Sequence, residues 1–316
     1  MKITIVEGIT KITSDKDIVF NVYGGSAEFN AGLKNQWLAP NTYVGEYEEI
    51  ELPKEEDLLP PSKCYCNRDF TVDEFKNIII ELRKKEIVYD NGKTVKNIVR
   101  DNKGLPILKD GKKQFKERSQ YEELGEKLFY LDNPEKIKEP SFHAFTTALN
   151  NTFKKYEINT CIRKIHFLAQ CYHETQRFGL SYEKDNSYMK NYEGGPQFRG
   201  RGLLQLTHDY SYTDYYNYLS NTKFKVTDTD FYKNKLIPFT KRISTEIAYA
   251  CDSSGWNWLL GGVPSVGKNI NLLADGDDVL KVSRAINGNV KNPFGLEERK
   301  LFTKLMKEIM NYEKNH

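Results

Sequence analysis

No run of apolar residues in this 316-residue chain approaches the ~18–20 that a membrane helix needs, so membrane insertion is not expected. The opening Met1-Lys2-Ile3-Thr4-Ile5-Val6-Glu7 meets a charge before any signal-peptide core develops, which predicts synthesis in the cytoplasm without an ordinary export signal. Cysteine is scarce. Cys64, Cys66, Cys161, Cys171 and Cys251 are too few and too scattered for a disulfide scaffold, and their odd number leaves at least one thiol without an intramolecular bridge, so reduced thiols are expected. An excess of one charge is missing too: 47 Lys and Arg stand against 44 Asp and Glu, and a net charge of +3 excludes a general nucleic-acid binder. No internal repeat is visible.

What is present is a polar but foldable chain. Mean hydropathy is −0.66, yet 20 tyrosines and 17 phenylalanines supply a heavy aromatic load, which argues against disorder throughout. The charge balance hides a split. Residues 1–62 hold 5 Lys, no Arg and 11 Asp or Glu, a net −6, whereas residues 63–316 hold 42 basic and 33 acidic groups, a net +9. From Lys2 to about Ile50, short β-branched runs broken by Gly24-Gly25, Gly32 and Pro40 predict a small β-rich module. Glu46 to Pro61, with Glu55-Glu56-Asp57 and Pro60-Pro61, has the composition of a solvated linker and puts a boundary near residue 62.

Residues 63–140 are expected to be a helical and irregular connection. Thr71 with Glu74 three positions later has capping-box spacing, and Phe75, Ile78, Ile79 and Leu82 follow at helical intervals, which predicts a helix over 71–86. Residues 88–118, rich in Lys, Asn, Asp and Gly, are expected to be a long excursion or a poorly ordered connection. Residues 141–316 show helical periodicity almost throughout, so the fold class is mainly α behind a β-rich N-terminal module.

Three runs carry the chemistry. In CIRKIHFLAQCYHETQRFGLSYE, Ile165, Leu168, Ala169 and Tyr172 form one helical stripe, and Glu174 lies beside it, where desolvation would favour a protonated general acid. Glu183 follows nine residues later. On an unbroken helix these two would be roughly 13.5 Å apart, but a break at Gly179 would bring them to the ~6.5–9.5 Å at which an inverting glycosidase holds a water between acid and base. The alternative is two surface carboxylates paired with Arg177 or Lys184. A zinc-protease reading of the HE pair fails because position 177 is Arg, and with the five histidines scattered no metal and no cofactor is expected. His173 reads as a structural hydrogen-bonder beside the acid.

The second run, residues 194–219, combines Gly194, Gly195, Gly200 and Gly202 with Arg199 and Arg201, a loop suited to close approach and bidentate recognition. It lacks the phosphate-loop pattern. Gln205 and Thr207 suit sugar hydroxyls or a water, while Tyr210, Tyr212, Tyr215 and Tyr216 either stack on sugars or pack. The third run reads as a helix through Leu280, Val282 and Ile286, stopped at Asn287-Gly288, with Asp275, Asp277 and Asp278 suited to an N-cap rather than to calcium. Cys64 and Cys66 form a CxC, too close for the usual CxxC zinc knuckle and without a matching pair, and are read as isolated thiols.

Together and in this order, the runs resemble glycoside hydrolase family 19, the chitinases and endolysins with a lysozyme-like α-helical fold. FLAQCYHETQRF, FRGRGLLQLTHDYSY and SRAINGN followed by Arg299 resemble its three motifs, SSGWNW at 253–258 resembles its aromatic segment, and the resemblance covers about residues 141–312. It implies Glu174 as general acid, Glu183 as the base that deprotonates water, and Thr207 as a residue that holds that water, in an inverting mechanism. It implies substrate-cleft positions at Gln205, Tyr210, Asn287 and Arg299, to which His173 and Arg201 are added. Ser211 and Asn289 depart from the family pattern. Only 24 residues separate Glu174 from Arg199, where plant-type chitinases carry a long insertion. This short form and the +9 charge favour peptidoglycan over chitin as the polysaccharide partner, with a non-catalytic glycan-binding protein as the remaining alternative. The N-terminal module would then serve delivery or wall binding. That role implies action at the bacterial cell wall or periplasm, either as an antibacterial effector with a secretion-machine or immunity-protein partner or as a phage lysin released on lysis.

Overall fold

The computed structural model describes residues 64–90, 92–261 and 265–316, and before them the backbone of three strands. The chain divides into two compact units, Met1–Pro61 and Ser62–His316. In the first, β1 (Lys11–Thr13) pairs in parallel with β2 (Ala27–Ala31), which pairs antiparallel with β3 (Lys34–Leu38) in the register Ala27↔Leu38 to Ala31↔Lys34. The linker expected over 46–61 lies outside the described residues.

The second unit is mainly helical. It opens with α1 (Val72–Lys85), whose N-cap Thr71 and Glu74 close a reciprocal capping box and whose Phe75, Ile78, Ile79 and Leu82 are buried. The stretch 64–86, expected to be a connection, is thus part of the core of this unit, because that apolar face packs on the later helices.

The excursion at 88–118 is ordered as a β arm. β4 (Tyr89–Asp90) pairs with β5 (Lys93–Thr94), β6 (Lys96–Ile98) with β9 (Phe115–Glu117), and β7 (Leu108–Lys109) with β8 (Lys112–Lys113), all antiparallel. Gly92, Gly104 and Gly111, all with positive φ, make the reversals that a sequence of Asn, Asp and Gly favours.

Then come α2 (Gln120–Leu124), α3 (Phe142–Lys155), α4 (Cys161–Glu174) and, after a loop with two short 3₁₀ turns, α5 (Asp209–Ser220). α6 (Thr229–Phe231) runs through a wider π turn at Tyr232–Leu236 into α7 (Ile237–Thr245), where Pro238 lacks the amide proton of a regular helix. α8 (Ile247–Trp256), α9 (Ile270–Asp275), α10 (Val279–Ile286), α11 (Leu296–Ile309) and α12 (Tyr312–Asn315) complete the unit.

Helix α4 is buried on every side and not on one stripe: Lys164, His166 and Gln170 are as inaccessible as Ile165 and Leu168. Most of these polar groups find partners there, Lys164 in two carbonyls, His166 Nε2 in Asp277 at 2.9 Å and Gln170 in Arg299 and Ser283, whereas His166 Nδ1 is buried without one among the described residues. Much of the aromatic load lies in this core, where Phe145 meets Phe75, Phe129 and Phe178 edge-on at 5.1–5.3 Å between ring centroids. Tyr212 and Tyr215 are core residues as well.

The thiols at Cys64 and Cys66, read from the sequence as isolated, are not isolated. They meet Cys161 at the start of α4 and His316 beyond α12, with one ligand-capable atom of each within 4.8 Å of the others.

Candidate active site

Glu174 is the last residue of α4. The helix stops there and not at Gly179, because Gln176, Arg177 and Phe178 all take the left-handed backbone region, with φ of +49°, +66° and +55°. Such a run costs on the order of 1–3 kcal/mol per residue and persists only where its surroundings over-determine it. Here they do. The Thr175 hydroxyl donates to Cys171 O at 2.6 Å and accepts from Phe178 N at 3.0 Å, Arg177 N donates to Tyr172 O at 2.7 Å, and the buried Arg83 donates to Arg177 O at 2.8 Å.

This reversal returns the chain so that Glu183 lines the same cleft as Glu174. Residues 181–183 pair with 200–202 as a short ribbon, through Glu183 N to Gly200 O at 2.9 Å and Gly202 N to Ser181 O at 3.0 Å. The Arg199 and Arg201 guanidinium groups lie 4.8 and 5.1 Å from the centre of the Tyr182 ring in that ribbon. The Glu183 carboxylate accepts from Asn186 Nδ2 at 2.7 Å, the Tyr192 hydroxyl at 2.8 Å and Gly200 N at 2.8 Å. Burial, reinforced by that hydrogen bond to Glu183, pushes the Tyr192 phenol well above its ordinary value, so it stays a donor. A Cβ on Gly200 would lie 2.7 Å from Gln205 Oε1 and 3.2 Å from Glu183 Oε2.

The cleft has a volume of about 580 Å³. Glu174, Glu183, Gln205, Thr207, Tyr210 and Asn287 all line it. Gln205 is in the left-handed region, its amide tied to Gly202 O at 2.9 Å, and the Thr207 hydroxyl donates to Gln205 O at 2.7 Å. Tyr210 is half exposed and stacked on His208 at 5.2 Å, so of the four tyrosines it alone combines exposure with a place at the cleft. Asn287 caps α10 and accepts from Phe294 N at 2.9 Å.

Three residues expected to touch substrate are placed elsewhere. Arg201 is buried and ion-paired with Glu135 at 2.9 Å, with further bonds to Gln197 O and Tyr212; it shapes the loop from behind. Arg299 is also buried, gripping Gln170, Glu174 and Phe294 O, which makes it a positioning residue for Glu174. His173 points away from the cleft to Glu298 at 3.0 Å, and Gly295 packs so closely on its ring that a Cβ there would lie 1.9 Å from His173 Cε1. Glu174 itself is an ion-paired carboxyl beside Arg299 and not a solitary one in apolar surroundings.

Several partners escaped sequence reading. Tyr192 and Asn186, which hold Glu183, flank a short 3₁₀ turn without a pattern of its own, and Asn257, on the cleft wall, lies within the SSGWNW segment without having been singled out there. Glu135 lies far from Arg201 in sequence, and only the fold joins them. Burial opposes its ionisation, but the bonds from Arg201 and Ser244 more than offset that and hold its carboxyl below the ordinary range.

No protein-family model matches the chain, and no curated protein matches it. Solved structures similar to it include chitinase C from Streptomyces griseus, 16% identical over 52% of this chain and 83% of that one, with a TM-score of 0.41. A class IV family 19 chitinase from Zea mays is 19% identical over 54% of this chain and 81% of that one, with a TM-score of 0.40. A bacterial family 19 chitinase is 18% identical over 56% and 87%, with a TM-score of 0.36.

Proposed function

We propose that the helical unit is an inverting glycoside hydrolase of the lysozyme-like kind described by family 19. The reading rests on one observation: Glu174 and Glu183, carried by separate elements, line a single cleft of about 580 Å³. Glu174 gives its proton to the glycosidic oxygen, and the Arg299 guanidinium stabilises the carboxylate left behind. Asn186, Tyr192 and Gly200 all donate to the Glu183 carboxylate, so it is held as an acceptor, as a base that deprotonates water must be. Thr207 and Gln205 lie on the same wall to help orient that water, and Tyr210 offers a ring face to a sugar.

The substrate proposed is the β-1,4-linked glycan of peptidoglycan, because the net +9 of residues 63–316 suits an anionic wall polymer better than neutral chitin. Purified protein should release new reducing ends from sacculi, identified by mass spectrometry after borohydride reduction. Glu174→Gln and Glu183→Gln should each lower turnover on the order of 10²–10⁴-fold while circular dichroism is unchanged. Equal activity in either variant removes that residue from the mechanism. Cleavage of chitin oligomers but not of sacculi reverses the substrate, and saturable binding without reducing ends makes the unit a glycan-binding protein.

A further inference from the structure

Three chain segments distant in sequence converge at the N-terminal end of α4, on the helix whose other end carries Glu174. Cys64 and Cys66 come from the start of the helical unit, Cys161 from the first turn of α4, and His316 from just beyond α12. Cys64 Sγ lies 3.6 Å from Cys161 Sγ and 3.5 Å from His316 Nε2, and Cys66 Sγ lies 3.8 Å from the same nitrogen. A disulfide needs about 2.05 Å between sulfurs. Tetrahedral zinc, with Zn–S near 2.3 Å and Zn–N near 2.0–2.1 Å, sets its ligands about 3.8 Å (S to S) and about 3.6 Å (S to N) apart.

The surroundings suit thiolates. Backbone N–H groups donate to the sulfurs, Tyr65 N to Cys161 at 3.0 Å, Cys161 N to Cys66 at 3.1 Å and Cys66 N to Cys64 at 3.5 Å. Cys161 sits on the first turn of a 14-residue helix, where the peptide dipoles favour a negative charge. Lys164, one turn on, is only 2% exposed, and its ammonium donates to Tyr65 O and Arg68 O, both at 2.6 Å, with no ion pair among the described residues. A buried cation without a counterion is costly. Three thiolates, a neutral imidazole and Zn²⁺ sum to −1, a charge that would compensate Lys164 where it stands.

We propose that Cys64, Cys66, Cys161 and His316 form a structural zinc site that ties the start of the helical unit, the N-terminus of α4 and the end of α12 together. Three sulfurs and one nitrogen select zinc over magnesium or calcium, and four protein ligands leave no open position for catalysis. The CxC spacing does not prevent this, because the other two ligands come from remote segments. Cysteine binds zinc as the thiolate, so uptake releases protons and weakens as pH falls. The site stands apart from the hydrolase reading, since none of its residues lines the cleft.

The full chain, purified from zinc-supplemented cells without chelator, should carry one zinc per chain by inductively coupled plasma mass spectrometry. Cobalt(II) in its place should give thiolate-to-metal charge-transfer bands in the near ultraviolet and tetrahedral ligand-field bands in the visible. Cys66→Ser and His316→Ala should weaken or abolish the stoichiometry and alter the cobalt spectrum, whereas Cys251→Ala should not. Zinc should raise the melting temperature of the parent protein, and it should slow the reaction of three cysteines with a thiol reagent. Substoichiometric zinc that dialysis removes, absence of the cobalt bands, or equal thiol reactivity with and without zinc overturns the proposal, and all three are read on the parent protein without relying on any variant to fold.

Discussion

Glu183 owes its position to residues that cannot be exchanged without moving it, and Gly200 is the clearest of them. Its amide donates to the carboxylate, and any side chain there would press on both Gln205 and Glu183. Gly200→Ala should therefore lower turnover on the order of 10–100-fold, as displacement of a catalytic group by a fraction of an ångström does. Its melting temperature should stay close to that of the parent, because the crowding falls at the cleft and not in the core. Steady-state kinetics with a parallel melting curve checks this, and unchanged turnover would mean that Glu183 tolerates the shift. Residue type was legible here, whereas burial was not. Arg201 and Arg299 have the donors of a substrate clamp, but each is spent on an internal carboxylate brought close by the fold. Asn289 departs from glycine in the family pattern and takes φ of +59°, a left-handed position that asparagine tolerates.

Helices α4 and α11 are joined beside the site by a second set of ion pairs. His173 and Arg177, on either side of the end of α4, both reach Glu298 in the first turn of α11, and Arg177 also holds the buried Glu86. The hydrogen bond from His173 holds the Glu298 carboxyl at about 2, against the opposing effect of burial and with help from Arg177. A carboxyl depressed from 4.5 to about 2 on folding contributes stability that is fully present above pH 4.5 and is lost as pH falls toward 2. Acid unfolding monitored across that window should be shallower in Glu298→Gln, which has no proton to take up; an identical acid limb would show that the pair adds nothing. At this scale the helical periods and the Thr71 cap were legible in the sequence. The all-round burial of α4 was not, because Lys164, His166 and Gln170 read as a solvated face until their partners from other segments are in place.

Over the whole molecule, charge is divided between an acidic stretch and a basic one, net −6 over residues 1–62 and net +9 over residues 63–316. If an anionic wall is the substrate, hydrolysis of sacculi should slow as ionic strength rises and the screening length shortens from about 30 Å at 0.01 M to about 8 Å at 0.15 M. The piece 62–316 alone should show the steeper salt dependence, since the acidic residues are removed with the first unit. Rates measured for both proteins across a salt series check this, and rates that do not change with salt would take electrostatics out of the substrate choice.

Local order set much of what is seen. The mainly helical class, the caps of α1 and α10 and the stop at Asn287-Gly288 were written in short-range pattern, because periodicity and capping act over a few residues. The left-handed turn after Glu174, the internal pairing of Arg201 and Arg299 and the meeting of Cys64, Cys66, Cys161 and His316 were decided only by the tertiary structure. The pairings of Arg201 and Arg299 and the four-residue cluster join groups dozens to hundreds of positions apart, and the turn after Glu174 adds to its local bonds one from Arg83, so no window along the chain contains all the partners.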